Sequence, residues 1–188
     1  MKTRRHFLKQ ASAVTIGFGG LKSFSAHAQN RTARMVPGYG ELQADPADVI
    51  DLPKGFSYKI IGKAGEKMDD GLNLPGAPDG MATFKGPNGH TLLVRNHEMN
   101  AGTGAKGGAF GSGNKNLTDK LRKSMYDAGK AAPSLGGTST VVYDTKKQKV
   151  VRQFLSLAGT LRNCAGGPTP WDTWVTCEES VVKAGSLC

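Results

Sequence analysis

Thr138-Ser139-Thr140-Val141-Val142-Tyr143-Asp144, then Thr145-Lys146-Lys147-Gln148-Lys149, then Val150-Val151-Arg152-Gln153-Phe154-Leu155: two β-branched runs joined by a polar turn read as a β-hairpin. The same pattern recurs upstream. Met81-Ala82-Thr83-Phe84 and Thr91-Leu92-Leu93-Val94-Arg95-Asn96 flank Lys85-Gly86-Pro87-Asn88-Gly89, a tight turn by composition. Further out, Phe56-Ser57-Tyr58-Lys59-Ile60-Ile61 alternates like a half-buried strand, opened by Leu52-Pro53-Lys54-Gly55. Downstream, Trp171-Asp172-Thr173-Trp174-Val175-Thr176 alternates and ends at Cys177-Glu178-Glu179. Residues 62–80 form a loop rich in Gly, Asp and Pro. Residues 99–137 are long and loop-like, with a short helix over about 117–128 and Thr118 as its N-cap. Successive hairpins of short strands predict an all-β chain: a sandwich, barrel or propeller.

Composition agrees. Among 188 residues there are 26 Gly and 9 Pro, too many turn-formers for a helical bundle. The formal charge of +10 is concentrated at the start, where Lys2, Arg4, Arg5, Lys9 and Lys22 meet no acid. Without those five, 20 basic residues face 15 acidic ones in no basic stripe, which argues against a nucleic-acid partner. No apolar run of membrane-spanning length occurs beyond the N-terminus, so no stable membrane anchor is expected.

Residues 1–28 read as an export signal, with a basic start, a weakly apolar middle and Ala26-His27-Ala28 at the cleavage site. Arg4-Arg5-His6-Phe7-Leu8-Lys9 looks like the twin-arginine signal, whose translocation machinery carries folded proteins to the periplasm or beyond. Cys164, Cys177 and Cys188 are odd in number, so in an oxidising compartment at least one thiol needs another occupant, such as a metal.

Several residues could carry chemistry. Cys177 beside Glu178 and Glu179 concentrates negative charge that a cation would relieve, although an inert thiol followed by two solvated acids fits the same spacing. Arg95-Asn96-His97-Glu98 ends a strand; His97 and Glu98 can ligate metal, Asn96 can hold an anionic oxygen, and the run is equally a polar turn. Asp69, Asp70 and Asp79 read as turn residues. Leu161-Arg162-Asn163-Cys164-Ala165-Gly166-Gly167 resembles a backbone nest around an anion, with Arg162 as a phosphate clamp or a surface arginine. Cys164 and Cys188 stand beside no paired carboxylates in sequence and are expected to be dispensable for metal.

In this order, Leu52-Pro53-x-Gly55-Phe56, Pro78-Asp79-Gly80-Met81, Arg95-Asn96-His97-Glu98, Gly136-Gly137-Thr138 and Arg162-Asn163-Cys164-Ala165-Gly166-Gly167-Pro168-Thr169-Pro170-Trp171-x-Thr173-Trp174-x-Thr176-Cys177-Glu178-Glu179 resemble the PhoX-type alkaline phosphatases. The resemblance implies an exported β-propeller enzyme that hydrolyses phosphate monoesters with iron(III) and calcium. It makes Cys177 an iron ligand and Glu178 a calcium ligand, and brings Glu179, Glu98, Asn96, His97 and Arg162 near the site. By their chemistry, Glu98 and Glu179 are then metal ligands, and Asn96, His97 and Arg162 catalytic.

The expected organisation is a signal over 1–28, a lead-in arm over 29–51 and, over 52–188, the N-terminal part of the propeller. That part carries about three blades' worth of strands, a portion of a six-bladed whole, with further metal-binding acids beyond it. On that reading, residues 29–188 alone would be inactive and poorly stable, their open strand edges inviting aggregation. The alternative is a non-catalytic exported β-propeller that binds partners through its loops. An exported oxidoreductase is disfavoured, because the sequence has no Cys-x-x-Cys-His motif and no helix-opening Gly-x-Gly-x-x-Gly.

Overall fold

The computed structural model describes residues 35, 36, 38–102, 108–130 and 132–183. The expected export signal over 1–28 and Cys188 lie outside the described residues. The chain is mostly β with little helix, in several small antiparallel sheets. It divides into two compact units at Lys59/Ile60. Among the described residues no helix is long and apolar enough to cross a membrane.

In the first unit, β1 (Met35–Val36) pairs with β2 (Gly40–Gln43), which pairs with β3 (Leu52–Pro53). The β2–β3 connection is organised by one carboxylate. Asp45 accepts the backbone N–H groups of Ala47, Val49 and Ile50 and the hydroxyl of Tyr58 at 2.7 Å. These donors, led by Tyr58, hold the Asp45 carboxyl at about 2. The alternating run Phe56–Ile61 forms no strand, because among the described residues no strand pairs with it. Instead Phe56 N–H turns back onto the Pro53 carbonyl at 3.1 Å.

The second unit is built on a four-stranded antiparallel sheet in chain order: β4 (Pro78–Lys85), β5 (Thr91–His97), β6 (Gly136–Asp144) and β7 (Lys149–Thr160). Both central hairpins form as the sequence predicts, with Phe84 opposite Leu92 and Asp144 opposite Lys149. Between β5 and β6 lies α1 (Asp119–Ser124), shorter than predicted but capped by Thr118, whose hydroxyl accepts Leu121 N–H at 3.2 Å. A third hairpin, β8 (Asn163–Pro168) with β9 (Trp174–Glu178), runs beside β4. The predicted anion nest is therefore a strand. Gly166 is needed there because a Cβ would lie 2.6 Å from the Trp174 ring.

One face of the sheet is closed by the segment around 66–74. Met68, Leu72 and Leu74 bury themselves with Ala109, Phe110 and Leu135, and Leu121, Met125 and Leu155 pack against them. The same segment shields the free edge of β7. The carboxylate of Asp69 accepts Gln153 N–H at 2.6 Å, that of Asp70 accepts Leu155 N–H at 2.7 Å, and Asp69 N–H donates to the Gln153 carbonyl. Asp70 also closes its own turn through Leu72 N–H, as the sequence predicts. Two carboxylates thus occupy donors that another strand could have paired. The variant Asp69→Ala/Asp70→Ala is expected to self-associate, seen as larger species in light scattering at concentrations where the parent protein shows none.

Candidate metal centre

The last residues of β5 are polar yet buried: Arg95, Asn96 and His97. Burial of such groups requires partners, and each has them. Asn96 has no exposed surface and makes four hydrogen bonds. Its Nδ2 donates to the Cys164 and Ala165 carbonyls, each at 3.0 Å. Its Oδ1 accepts Trp174 Nε1 at 2.9 Å and the Thr176 hydroxyl at 2.8 Å. One amide thereby ties β5 to both β8 and β9.

His97 points to the other face of the sheet. Its Nδ1–H donates to the Gly76 carbonyl at 2.9 Å. A neutral ring then has Nε2 free to accept, and the Ser139 hydroxyl donates to it at 2.8 Å. Ser139 Oγ in turn accepts Arg95 Nε–H at 3.3 Å, and the second arm of the guanidinium donates to Gln153 Oε1. Burial, with the Arg95 charge adding to it, holds the His97 imidazolium down to about 4 against the opposing effect of the Gly76 bond. The ring is neutral at ordinary pH. The next residue, Glu98, donates its N–H to the Ala77 carbonyl at 2.9 Å.

Consecutive residues at one strand end thus grip two backbone segments, 76–77 and 164–165, and the result is a cluster. Asp79, Glu98 and Cys164 place their ligand atoms within 4.8 Å of one another, each half-buried. Burial pushes the Cys164 thiol up, and the negative charges of Asp79, Glu179 and Glu98 push it further. The approach of β8 to β4 requires Gly80, where a Cβ would come 2.7 Å from the Cys164 carbonyl. Two non-glycine residues next to the cluster, Ala77 (φ 45°) and Arg162 (φ 50°), hold left-handed backbone, a strained arrangement that clusters at functional sites.

The remaining predicted residues lie around the β8–β9 hairpin. Glu178 accepts Leu161 N–H at 2.6 Å, the Arg162 guanidinium donates to the Glu179 carbonyl, and Glu179 N–H returns to the Arg162 carbonyl. Cys177 is exposed. The expectation that Cys164 stands apart from carboxylates does not hold: its acids come from β4 and from the end of β5. Sequence reasoning missed Cys164 and Asp79 as a pair. The available signal was glycine at close approaches, Gly80 beside Asp79 and Gly166 two residues after Cys164.

A thiol and two carboxylates converge at a strand rim, braced from behind by buried polar side chains, and could hold a metal ion. The family model for alkaline phosphatase PhoX matches residues 37–187, and the chain belongs to that family. No curated protein and no solved structure matches the chain.

Proposed function

We propose that this chain is an exported, metal-dependent phosphatase that releases phosphate from phosphate monoesters, built as part of a β-propeller whose blades resemble the β4–β7 sheet. Family membership supports the phosphatase reading. The observation that carries the metal reading is the convergence of Asp79, Glu98 and Cys164.

The donors fit the metals that the resemblance implies. Without a cation the Cys164 thiol is held protonated by burial and by the neighbouring carboxylates. A thiolate mixed with carboxylates suits iron(III), and carboxylate oxygens suit calcium. Cys164, Asp79 and Glu98 would hold the iron, with Glu179 beside them; Glu178 and Cys177 are the further ligands expected from the sequence. Bound metals supply charge neutralisation at the phosphate oxygens and acidify the attacking group.

The protein's own residues set the geometry. Asn96 fixes the Cys164 backbone, and His97 anchors the turn that leads to Asp79. Arg162, whose guanidinium donates to the Glu179 carbonyl, would clamp a phosphate oxygen of the substrate.

The test is metal per chain alongside hydrolysis of a chromogenic phosphate monoester. Cys164→Ser and Asp79→Asn should each lower iron content and rate together by tenfold or more, on the order of 1.4 kcal/mol or above. Full metal and full rate in both variants would sink this assignment. Export is tested separately. Arg4→Lys with Arg5→Lys should leave the protein in the cytoplasm, and undiminished export of that double variant would exclude the twin-arginine route.

A further inference from the structure

The chain contains one Asn-Gly dipeptide, Asn88-Gly89, and the fold puts it at the tip of the β4–β5 hairpin. Glycine after asparagine is the least obstructed arrangement for one reaction, attack of the following backbone nitrogen on the side-chain amide carbon. A Cβ on the following residue crowds that approach, and every other asparagine of the chain precedes such a residue.

The local structure leaves the dipeptide open. Pro87, Asn88 and Gly89 are all exposed. They form a single tight turn in which Asn88 takes left-handed backbone (φ 57°), a conformation that asparagine tolerates better than most residues. A Cβ at Gly89 would meet nothing within 4 Å, so the attacking residue stands in free space. The turn is closed at its base, where Gly86 N–H donates to the His90 carbonyl at 2.8 Å and His90 N–H to the Pro87 carbonyl at 3.1 Å. Among the described residues the Asn88 amide has no hydrogen-bond partner. By contrast, the Asn96 and Asn163 amides are buried and bonded, and Asn114 Nδ2 donates to the Gly102 carbonyl.

The electrostatic setting favours the same reaction. The β6–β7 turn lies alongside, with the Thr91 and Thr145 hydroxyls 3.0 Å apart. Lys85, Lys146, Lys147 and Lys149 are exposed at this end of the sheet, and Asp144 among them is paired with Lys147 at 3.8 Å. Positive surroundings stabilise both the deprotonated backbone amide that attacks and the carboxylate that results.

We propose that Asn88-Gly89 is a self-modifying site: in the folded protein it converts through a cyclic imide to a mixture of aspartate and isoaspartate, placing a carboxylate at the lysine-rich end of the sheet. The bond from Gly89 N to Asn88 Cγ forms as the Cγ–Nδ2 bond breaks, and the Gly89 amide proton leaves with Nδ2 as ammonia. Water then opens the imide. Addition at Cγ gives aspartate with the main chain unchanged. Addition at the backbone carbonyl carbon gives isoaspartate, whose main chain runs through Cβ and Cγ and is one carbon longer. The added atom falls inside the closure made by the two hydrogen bonds to His90, so isoaspartate loosens the turn while Asn96 pins the far end of β5. No metal or substrate enters this inference, and it stands apart from the phosphatase reading.

The experiment ages the full chain in buffer at neutral and at alkaline pH, beside a sample unfolded in urea. Trypsin cuts after Lys85 and Arg95, and the peptide released, residues 86–95, has Asn88 as its sole side-chain amide. Exchange of the amide nitrogen for oxygen raises its mass, and chromatography separates the two isomers. In the native sample this peptide should convert about tenfold or more faster than any peptide holding another asparagine. Conversion should quicken at alkaline pH, because the attacking species is the deprotonated amide. Asn88→Gly keeps the left-handed backbone without strain and should remove the main acidic species that isoelectric focusing resolves in the aged parent. A peptide 86–95 that keeps its mass in the native sample while converting in urea would show that the folded turn protects Asn88, and overturns the proposal. Conversion to aspartate alone overturns it as well, since a cyclic imide opens both ways.

Discussion

Asn96→Ala should cost about 3–4 kcal/mol of unfolding free energy, read as a fall in the denaturant midpoint with little change in slope. The residue has no exposed surface, and its side chain holds two carbonyls of β8, the Trp174 indole and the Thr176 hydroxyl. Truncation leaves all four partners without it, and an unsatisfied buried group costs about 1–3 kcal/mol. Some partners will find water, so the sum falls short of four full penalties. Asn96→Asp separates the contributions. It keeps the acceptors for Trp174 and Thr176 but replaces both donors with acceptor oxygens facing the Cys164 and Ala165 carbonyls. It should be at least as damaging as Ala. Stability within about 0.5 kcal/mol of the parent in both variants would mean that β8–β9 docks without Asn96.

The second large effect is a dependence on pH. His97 titrates at about 4 in the folded chain against 6.5 as its ordinary value. Below 6.5 the unfolded chain therefore binds a proton that the folded chain refuses, so stability rises with pH between about 4 and 6.5. The contribution is fully present above that window and is lost as the pH falls through it. The whole shift corresponds to about 3 kcal/mol. Between pH 7 and pH 5 the loss should be on the order of 2 kcal/mol, before most carboxylates titrate. Denaturation midpoints at pH 5, 6 and 7 measure it. His97→Gln removes the titrating ring, so its stability should vary far less over that range, whatever its absolute value. A parent protein as stable at pH 5 as at pH 7 would refute the buried neutral imidazole.

The hairpins were legible in the sequence because their signals are local: β-branched alternation on each side of a turn rich in Gly, Asn or Lys. Thr118 was legible as a cap for the same reason. Phe56–Ile61 misled because alternation describes one chain, whereas a strand requires a partner for its backbone groups. Asn163–Pro168 misled in the opposite direction. Its paired glycines read as a loop, but Gly166 is there to let the Trp174 ring sit on the backbone. The acids around Cys164 were hidden by distance along the chain. Spacing arguments favoured Cys177 because Glu178 and Glu179 are its neighbours in sequence. Asp79 and Glu98 become neighbours of Cys164 only after β8 docks beside β4 and β5.

That docking sets an order of events. Asp79 and Glu98 belong to one hairpin and its immediate end, and can be in place as soon as β4 and β5 pair. Cys164 lies 85 positions after Asp79 and reaches them only when the β8–β9 hairpin settles against Asn96. Closing so long a loop is the slow, entropically opposed part of assembly. Two hard oxygen donors therefore precede the soft sulfur donor in time. Before that docking the unit offers a weak, unselective pair of carboxylates, and selectivity for a thiophilic ion arrives with β8. On the metal reading proposed above, metal choice in this unit is a late product of folding, and tight binding reports that the β8–β9 hairpin has docked.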